Sequence, residues 1–401
     1  MKKIYIATFH QSKFGKLLGM TVPEILRNAV EGACRQIGVP PSVLDVGTVG
    51  AACNLTLNEQ GLLAGLIAMV PGLEGKPIES VENACASGGQ AVLSVIHKLQ
   101  LGLGDTGIAV GYEKMRDAQG KMDGGLIGKI LGYYSHPDER EGKSFVFPHI
   151  FAEVMQAYML EHGVTEEHLA QIAVEEYANA SYNPYAQMSN VRLTLEQAMR
   201  IEGINRYLID GLPLKTYDCS QITDGYASLI LATEEGLAKL GVPRAQCVEI
   251  AGWAQATDPL KKEGRDMLHP TGALKAMKQA YEMAGLSPDD INVAEVHDCF
   301  TVMGAIGTEV IGKAAPGKGA QYWVDGRARP DGQCGINTSG GLLAKGHPIG
   351  ATGIAMVGWA ALQLHGSVSP RIQVKSARAA VTFNIGGPIC ASVCTVLKHA
   401  S

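Results

Sequence analysis

The sequence predicts an α/β protein assembled from two halves of similar order, and three observations carry that prediction. Short apolar runs of strand length alternate with amphipathic runs of helical length near both ends of the chain. Each half places a glycine-flanked reactive residue just ahead of a buried helix: Cys85 in "VENACASGG" and His347 in "LLAKGHPIGATG". Between them, over residues 116–218, the character changes, and eight of the 13 tyrosines fall there among charges and loop residues. The expected organisation is a first half made of 1–115 with 219–248, an insertion over 116–218, and a second half over 249–401. The halves are alike in order only, because no residue-by-residue repeat is visible.

The elements follow in turn. "KKIYIATF" is the first strand and "VPEILRNAVEGACRQIG" the first helix, with Pro23 near its start and Gly38 at its end. "VENACASGGQAVLSVIHKLQLG" reads as a strand end, a tight turn and a helix on which Val92, Val95, Ile96 and Leu99 recur at helical spacing. "DTGIAVGYEKM" is a buried strand. The insertion holds two helices, "AEVMQAYMLEHG" and "TEEHLAQIAVEEYANASY", after which "TDGYASLILATEEGLAKLG" returns to strand and helix. In the second half "ALKAMKQAYEMAGLSPDD" is a helix, "INVAEVH" a strand and "GATGIAMVGWAALQLHG" a nearly all-apolar helix. Two strands, "AAVTFN" and "ICASVCTVL", close the chain with Gly386 and Gly387 between them.

Bulk properties narrow the class. At 401 residues, 46% hydrophobic and 18% charged, the chain is large enough for two or three domains with ample buried area. A net charge of −5 offers no general footprint for nucleic acid or an anionic membrane. The N-terminal apolar run is too brief for a signal-peptide core, and no run of about 18 apolar residues suggests a spanning helix. Nine cysteines are scattered without a CxxC pair, which argues against a zinc ribbon and a disulfide framework. Reduced thiols in a cytoplasmic protein are expected, with no bound metal.

Three motifs carry potential chemistry. Cys85 stands just before a helix start, where unpaired amides and the helix dipole favour a thiolate, and small neighbours leave a substrate room to approach. A buried structural cysteine fits the same local context. His347 lies between Gly346 and Pro348 in a loop with five glycines, placed to serve a thiol as base, though a lone loop histidine is often ordinary. The Gly386–Gly387 turn could donate amides to an oxyanion or could simply turn a hairpin.

"VHDCFT" is the fourth point of interest. His297, Asp298 and Cys299 are not a hydrolase triad, because neighbours on an extended chain point apart and triads converge from separate elements. If extension continues from the strand, His297 and Cys299 share one face and Asp298 takes the other.

Taken together, "VENACASGG", "EVHDCF", "GGLLAKGHPIGATG" and "NIGG" occur in the order and approximate spacing of the thiolases, and the chain resembles that family over essentially its whole length. The resemblance implies two βαβαβαββ halves in a five-layer α-β-α-β-α sandwich, with a loop subdomain inserted in the first half. It implies reversible Claisen chemistry on 3-oxoacyl-CoA through an acyl-cysteine, with coenzyme A as co-substrate and no bound cofactor. Cys85 would be the acylated nucleophile and His347 its base. The amides of Cys85 and Gly386 would form one oxyanion hole, and His297 with His347 would hold the other thioester oxygen. Ser220, with Cys219 and Ile222 in "DCSQITDG", lies where thiolases contact the pantetheine of CoA, and His149 in "FPHIFAE" matches a pocket histidine.

Two departures from common thiolases place the chain. Their Asn-Glu-Ala-Phe is replaced by His297-Asp298-Cys299-Phe300, and their Cys-x-Gly motif by Asn384-Ile385-Gly386. "HDCF" is similar to the sterol-carrier-protein-2 and archaeal-type branch, in which the cysteine of that motif takes over proton transfer. The branch includes acetoacetyl-CoA enzymes and the benzoylsuccinyl-CoA thiolase of anaerobic toluene breakdown. Tyr133, Tyr134, Tyr158, Tyr182 and Tyr185 would either line an aromatic acyl pocket or pack the insertion. Family resemblance also implies a homodimer or dimer of dimers, and relatives of this type often work with a small zinc-binding DUF35/OB-fold protein. Alternatives are a decarboxylating ketoacyl-synthase-like enzyme, which needs Cys85, His297 and His347 but no second thiol, and a non-catalytic acyl-CoA-binding scaffold subunit.

Overall fold

Strand β1 (Ile4–Gln11) shows how a period of two builds the layers. Its Ile4 and Ile6 join an apolar cluster around two central helices, whereas Tyr5 and Ala7 join a different cluster on the opposite face. The computed structural model describes residues 1–400. The remaining strands are β2 (Val46–Gly50), β3 (Ile78–Val81), β4 (Thr106–Glu113), β5 (Gly225–Ala232), β6 (Val248–Thr257), β7 (Val293–Val296), β8 (Gly335–Ile336), β9 (Ala379–Gly386) and β10 (Ala391–His399). They hydrogen-bond in the order β3-β2-β4-β5-β1-β6-β10-β9-β7-β8.

That order is a duplication. Numbered from its own first strand and read from its outer edge, each half runs 3-2-4-5-1. The pairings also match: β2 is parallel to β3 and β4, and β7 to β8 and β9, while every pairing with β5 or β10 is antiparallel. The halves meet through antiparallel β1 and β6. The expected repeat of order is thus a repeat of topology.

The helices that set the layers and the site are α1 (Val22–Gln36), α2 (Ser87–Gln100), α3 (Val146–His162), α4 (Glu166–Ala180), α5 (Thr271–Ala284), α6 (Thr301–Val310) and α7 (Ile349–His365). α1 starts at a Thr21–Glu24 capping box with Pro23 in its first turn, and it covers the outer face of the first half. α5 and α6 cover the outer face of the second half. α2 and α7 pack together between the two sets of strands, which explains why α7 is apolar on all sides. The layers are those of the thiolase sandwich.

The insertion between β4 and β5 carries α3 and α4, whose apolar faces pack against α6 in the same cluster as the second half. Two elements differ from expectation. The helix written through "GLSPDD" stops at Ala284, because Gly285 takes a left-handed conformation at φ 64° and Pro288 opens a separate short turn. The apolar run after Phe300 forms α6, which the strand-and-loop reading of "VHDCFT" did not extend to. Among the described residues no helix is long and apolar enough to cross a membrane.

Candidate active site

The two central helices begin almost on top of one another. A Cβ on Gly88 would lie 2.6 Å from the Gly350 carbonyl oxygen, and one on Gly353 would lie 2.2 Å from the Gly89 nitrogen. Only glycine permits that approach, and it brings the residues just ahead of the two helices, Cys85 and His347, into one site. Ala84 takes a left-handed φ of 49° immediately before Cys85, which makes the turn sharp. Cys85 Sγ and one nitrogen each of His297 and His347 lie within 4.8 Å of one another. A soft metal ion could use the same three atoms, at the expense of the nucleophile.

Hydrogen bonds give the two imidazoles opposite roles. The Asn384 amide nitrogen lies 3.1 Å from the Cys85 carbonyl oxygen and 3.0 Å from His297 Nδ1. A carbonyl only accepts, so the amide is oriented with its NH2 inward and also donates to His297 Nδ1. The proton of His297 is therefore on Nε2, which is buried with no partner. His347 is the reverse. Thr352 Oγ1 donates to the Pro348 carbonyl at 3.0 Å, so it accepts from His347 Nδ1 at 2.7 Å and leaves Nε2 with a free lone pair.

Charge on these groups is suppressed at rest. Burial pushes the Cys85 thiol up to about 12, Glu113 and Glu82 add to that, and the amides of Cys85 and Gly387 oppose it. Burial takes His347 down to about 3, with Lys345 contributing. Burial, then His347, holds His297 well below the usual imidazole range. The Cys299 thiol is raised well above its ordinary value by burial and then by Cys85, Asp298 and Cys219. Beneath them Glu113 accepts from the amides of Ala52, Cys53 and Gly350 at 2.9–3.1 Å, yet burial still lifts it to about 7.

The 339–346 loop that carries His347 is clamped from below. Asp298 accepts from the amides of Leu342 and Leu343 and from Asn337, and Lys345 pairs with buried Glu295 at 3.2 Å. Gly341 is required there, at φ 56°, because a Cβ would come within 2.1 Å of Glu176 Oε2 and 2.5 Å of Asp298 Oδ2. Asp298 is thus tied into this loop as a brace.

The softer site residues separate. Cys219 pairs with Phe300, the Ser220 amide donates to the Cys299 carbonyl at 2.9 Å, and Ile222 pairs with His347 and packs beside Cys85. This half-buried strip runs alongside both catalytic segments. Gly386 presses on the Cys85 turn, where its Cβ would be 2.2 Å from the Asn83 carbonyl oxygen, and the amide of the next residue, Gly387, works against the rise of the Cys85 thiol. His149, in the first turn of α3, pairs with Glu153 at 3.3 Å and is not in the wall of the cavity of about 250 Å³ that Asn83, Ala84 and Gly386 line. Of the five tyrosines, Tyr133 and Tyr134 line that cavity, with Leu260 and Gly387. Tyr158 is buried and donates to Glu309, and Tyr182 and Tyr185 are exposed.

Asn384 is the residue that motif reasoning passed over. It registered only as a missing cysteine, although it lies two residues before Gly386 on one face of β9. Thr352 carried no signal beyond its place one turn into a helix after His347.

Fold and site define a class: a duplicated α/β protein in which thiols, two neutral imidazoles and backbone amides converge, the equipment for passing an acyl group through a thioester. The chain belongs to the thiolase family. Residues 4–235 match the thiolase N-terminal domain and residues 254–399 the thiolase C-terminal domain-like model. The chain is 35% identical over 387 residues to the acetyl-CoA acetyltransferase of Methanothermobacter thermautotrophicus, covering 96% of this chain and 97% of that one. It is 30% identical over 391 residues to the benzoylsuccinyl-CoA thiolase subunit BbsB of Thauera aromatica, covering 96% and 95%. The solved Ltp2-ChsH2(DUF35) aldolase superposes with a TM-score of 0.81 over 99% of this chain and 98% of that one, and at 22% identity this is a likeness of fold. The protein is a CoA-dependent acyltransferase of the thiolase type, with coenzyme A as its co-substrate.

Proposed function

We propose that the enzyme cleaves and forms 3-oxoacyl-CoA through an acyl-Cys85 intermediate, with proton transfer at the α-carbon carried by Cys299. In cleavage, His347 Nε2 takes the Cys85 proton and the sulfur attacks the 3-oxo carbon. The amides of Cys85 and the Gly386–Gly387 turn hold the resulting oxyanion. Collapse breaks the C2–C3 bond and leaves acyl-Cys85 with the enolate of acetyl-CoA or its analogue. His297 Nε2–H, joined by protonated His347, holds the enolate oxygen, and Cys299 gives its proton to C2. Incoming CoA returns a proton to Cys299 and displaces Cys85, which recovers its own from His347. Synthesis runs the same steps backward.

The observation that carries this reading is the opposed pair of histidines beside one thiol: a free lone pair on His347 and an unpartnered Nε2–H on His297, on rings that each bring one nitrogen within 4.8 Å of the Cys85 sulfur. Intact mass spectrometry of enzyme quenched with a cognate 3-oxoacyl-CoA should show one acyl adduct on Cys85. Absence of that adduct across a broad panel of CoA esters would falsify the reading. Cys299→Ala should still be acylated on Cys85 but lose C–C bond formation by about 10²-fold or more. A decarboxylating enzyme would keep its condensation in that variant, so the experiment separates the two chemistries.

Acetoacetyl-CoA and an aromatic 3-oxoacyl-CoA such as benzoylsuccinyl-CoA are the substrate candidates. The names of the two similar relatives support both, and Tyr133 and Tyr134, which share a cavity with Ala84 and Gly386, favour the aromatic one. The 219–222 strip, including Ser220, would take the pantetheine arm, with His149 further along the acyl-CoA path. We assign 1–115 with 219–248, 116–218 and 249–401 as the functional units, in a cytoplasmic homodimer or dimer of dimers. A small DUF35 partner is also proposed, supported by the DUF35 component named in the aldolase structure of similar fold and by the subunit status of BbsB.

A further inference from the structure

We propose that Glu161, His162 and His269 form a binding site for a zinc-class divalent ion that braces the inserted helices against the segment behind the active-site turn. The three residues come from the end of α3 and from the approach to α5, and one ligand atom from each lies within 4.8 Å of the others. The two imidazole rings are 5.9 Å apart, nearly perpendicular at 81°. His162 Nε2 is shielded from solvent and has no hydrogen-bond partner, which is costly for a ring nitrogen unless something occupies the space before it. The nearest counter-charge, Glu161 Oε1, is 3.8 Å away, too far for a hydrogen bond. The ring is held in place by Tyr158, edge-on at 5.0 Å, and by Gly317, where a Cβ would sit 2.5 Å from its Nδ1.

His269 is prepared in the manner of a metal ligand. Its Nδ1 meets Asp266 Oδ2 at 3.2 Å, and the same carboxylate is fixed by the amides of Leu268 and His269. A carboxylate on one ring nitrogen orients the imidazole and raises the basicity of the other, here Nε2. Two imidazoles and one carboxylate suit Zn²⁺ better than Ca²⁺ or Mg²⁺, which prefer all-oxygen shells. Three protein ligands leave a fourth position for water. Bonds of about 2.0–2.1 Å place tetrahedral ligands roughly 3.3 Å apart, so the set must close by about 1.5 Å at most. Glu161, the most exposed of the three, can swing to do it.

The segment from 258 to 270 is also the support of the turn beside Cys85. Arg265 donates to the carbonyls of Pro388 at 3.0 Å and Ile389 at 2.6 Å, and the Asp258 amide donates to the Cys390 carbonyl at 2.8 Å. An ion at Glu161, His162 and His269 would tie that segment to α3 without touching the reacting atoms.

The test uses full-length enzyme carrying Cys85→Ala, because Cys85, His297 and His347 are themselves a soft-ligand set. After Zn²⁺ loading and gel filtration, elemental analysis should find one equivalent, and calorimetry a dissociation constant in the micromolar range or below. His269→Gln in that background should weaken binding at least tenfold and cancel the Zn²⁺-dependent rise in melting temperature. Asp266→Asn should weaken it by about 10–100-fold. His162→Gln is read only against its own Zn²⁺-free melting curve, so loss of fold is not mistaken for loss of the ion. No Zn²⁺ retained by Cys85→Ala, or an undiminished equivalent in the His162→Gln/His269→Gln double variant, overturns the proposal.

Discussion

His297 and His347 have rings 5.0 Å apart and nearly perpendicular at 89°, and both are buried and neutral. Residue type and burial do not distinguish them. Their second nitrogens do: an amide NH2 group, held inward and able only to donate, fixes one as a hydrogen-bond donor to the site, and a hydroxyl that must accept fixes the other as a base. The lesson is that two like groups side by side can be given an acid's and a base's work by one partner each. It also frees the site from needing a charge in its resting state, which burial this deep would penalise.

The comparison breaks most visibly at the base. His347→Ala should lower kcat for thiolytic cleavage by about 10³-fold while Cys299 and His297 stay in place, measured by loss of 3-oxoacyl-CoA absorbance. The intact enzyme should also lack an imidazole limb near pH 6.5. His347 is depressed to about 3, so it remains unprotonated and competent as pH falls through the range where a free histidine would be lost. The same shift has a stability sign: the unfolded chain takes up a proton below about pH 6.5 that the folded one refuses, so stability falls as pH drops through that window. A kcat/KM profile with a clear acid limb at 6.5 would mean that His347 is not shielded as described.

Asn384→Asp attacks the other partner. A carboxylate only accepts, so it would draw the His297 proton to Nδ1 and remove the Nε2–H donor, leaving the ring where it was. The expected loss is roughly 100-fold in kcat with little change in KM, the scale of deleting one oxyanion donor. Equal losses in acylation and in condensation would argue against a role confined to the enolate.

How much of this was legible beforehand follows from how each residue is held. Cys85 and His347 announced themselves by glycines, because close helix approach demands glycine wherever it occurs. The period of two through "VHDCFT" set Asp298 apart from its neighbours, and its carboxylate is engaged by the amides of Leu342 and Leu343. Asn384 was illegible because its role depends on which strand lies beside β9. The parallel pairing of Val296 with Phe383 is what sets it next to His297, and pairing of distant strands leaves no local trace. Tyr158 takes the packing alternative that was open to the insertion's tyrosines: its helix turns it into the core to meet Glu309. The duplication of element order, by contrast, was readable, because alternation of strand and helix survives the divergence of the residues themselves, whereas the strand order within the sheet left no such trace.

The smallest effect tests the comparison most finely. Thr352→Val keeps the shape of the side chain but removes the oxygen that accepts from His347 Nδ1. Nothing then prefers the Nδ1–H tautomer, and a fraction of the enzyme would present Nε2–H to the Cys85 thiol, a donor facing a donor. The expected cost is about five- to tenfold in the rate of Cys85 acylation, the worth of one hydrogen bond of about 1 kcal/mol. Thr352→Ser restores the oxygen and should restore the rate, although it lacks the buried methyl group. Nitrogen chemical shifts of labelled histidine would report the tautomers directly, with His347 moving and His297 unchanged. If Thr352→Val slows acylation but His347 keeps its Nδ1 proton, the hydroxyl acts through packing, and the base is set by something other than this hydrogen bond.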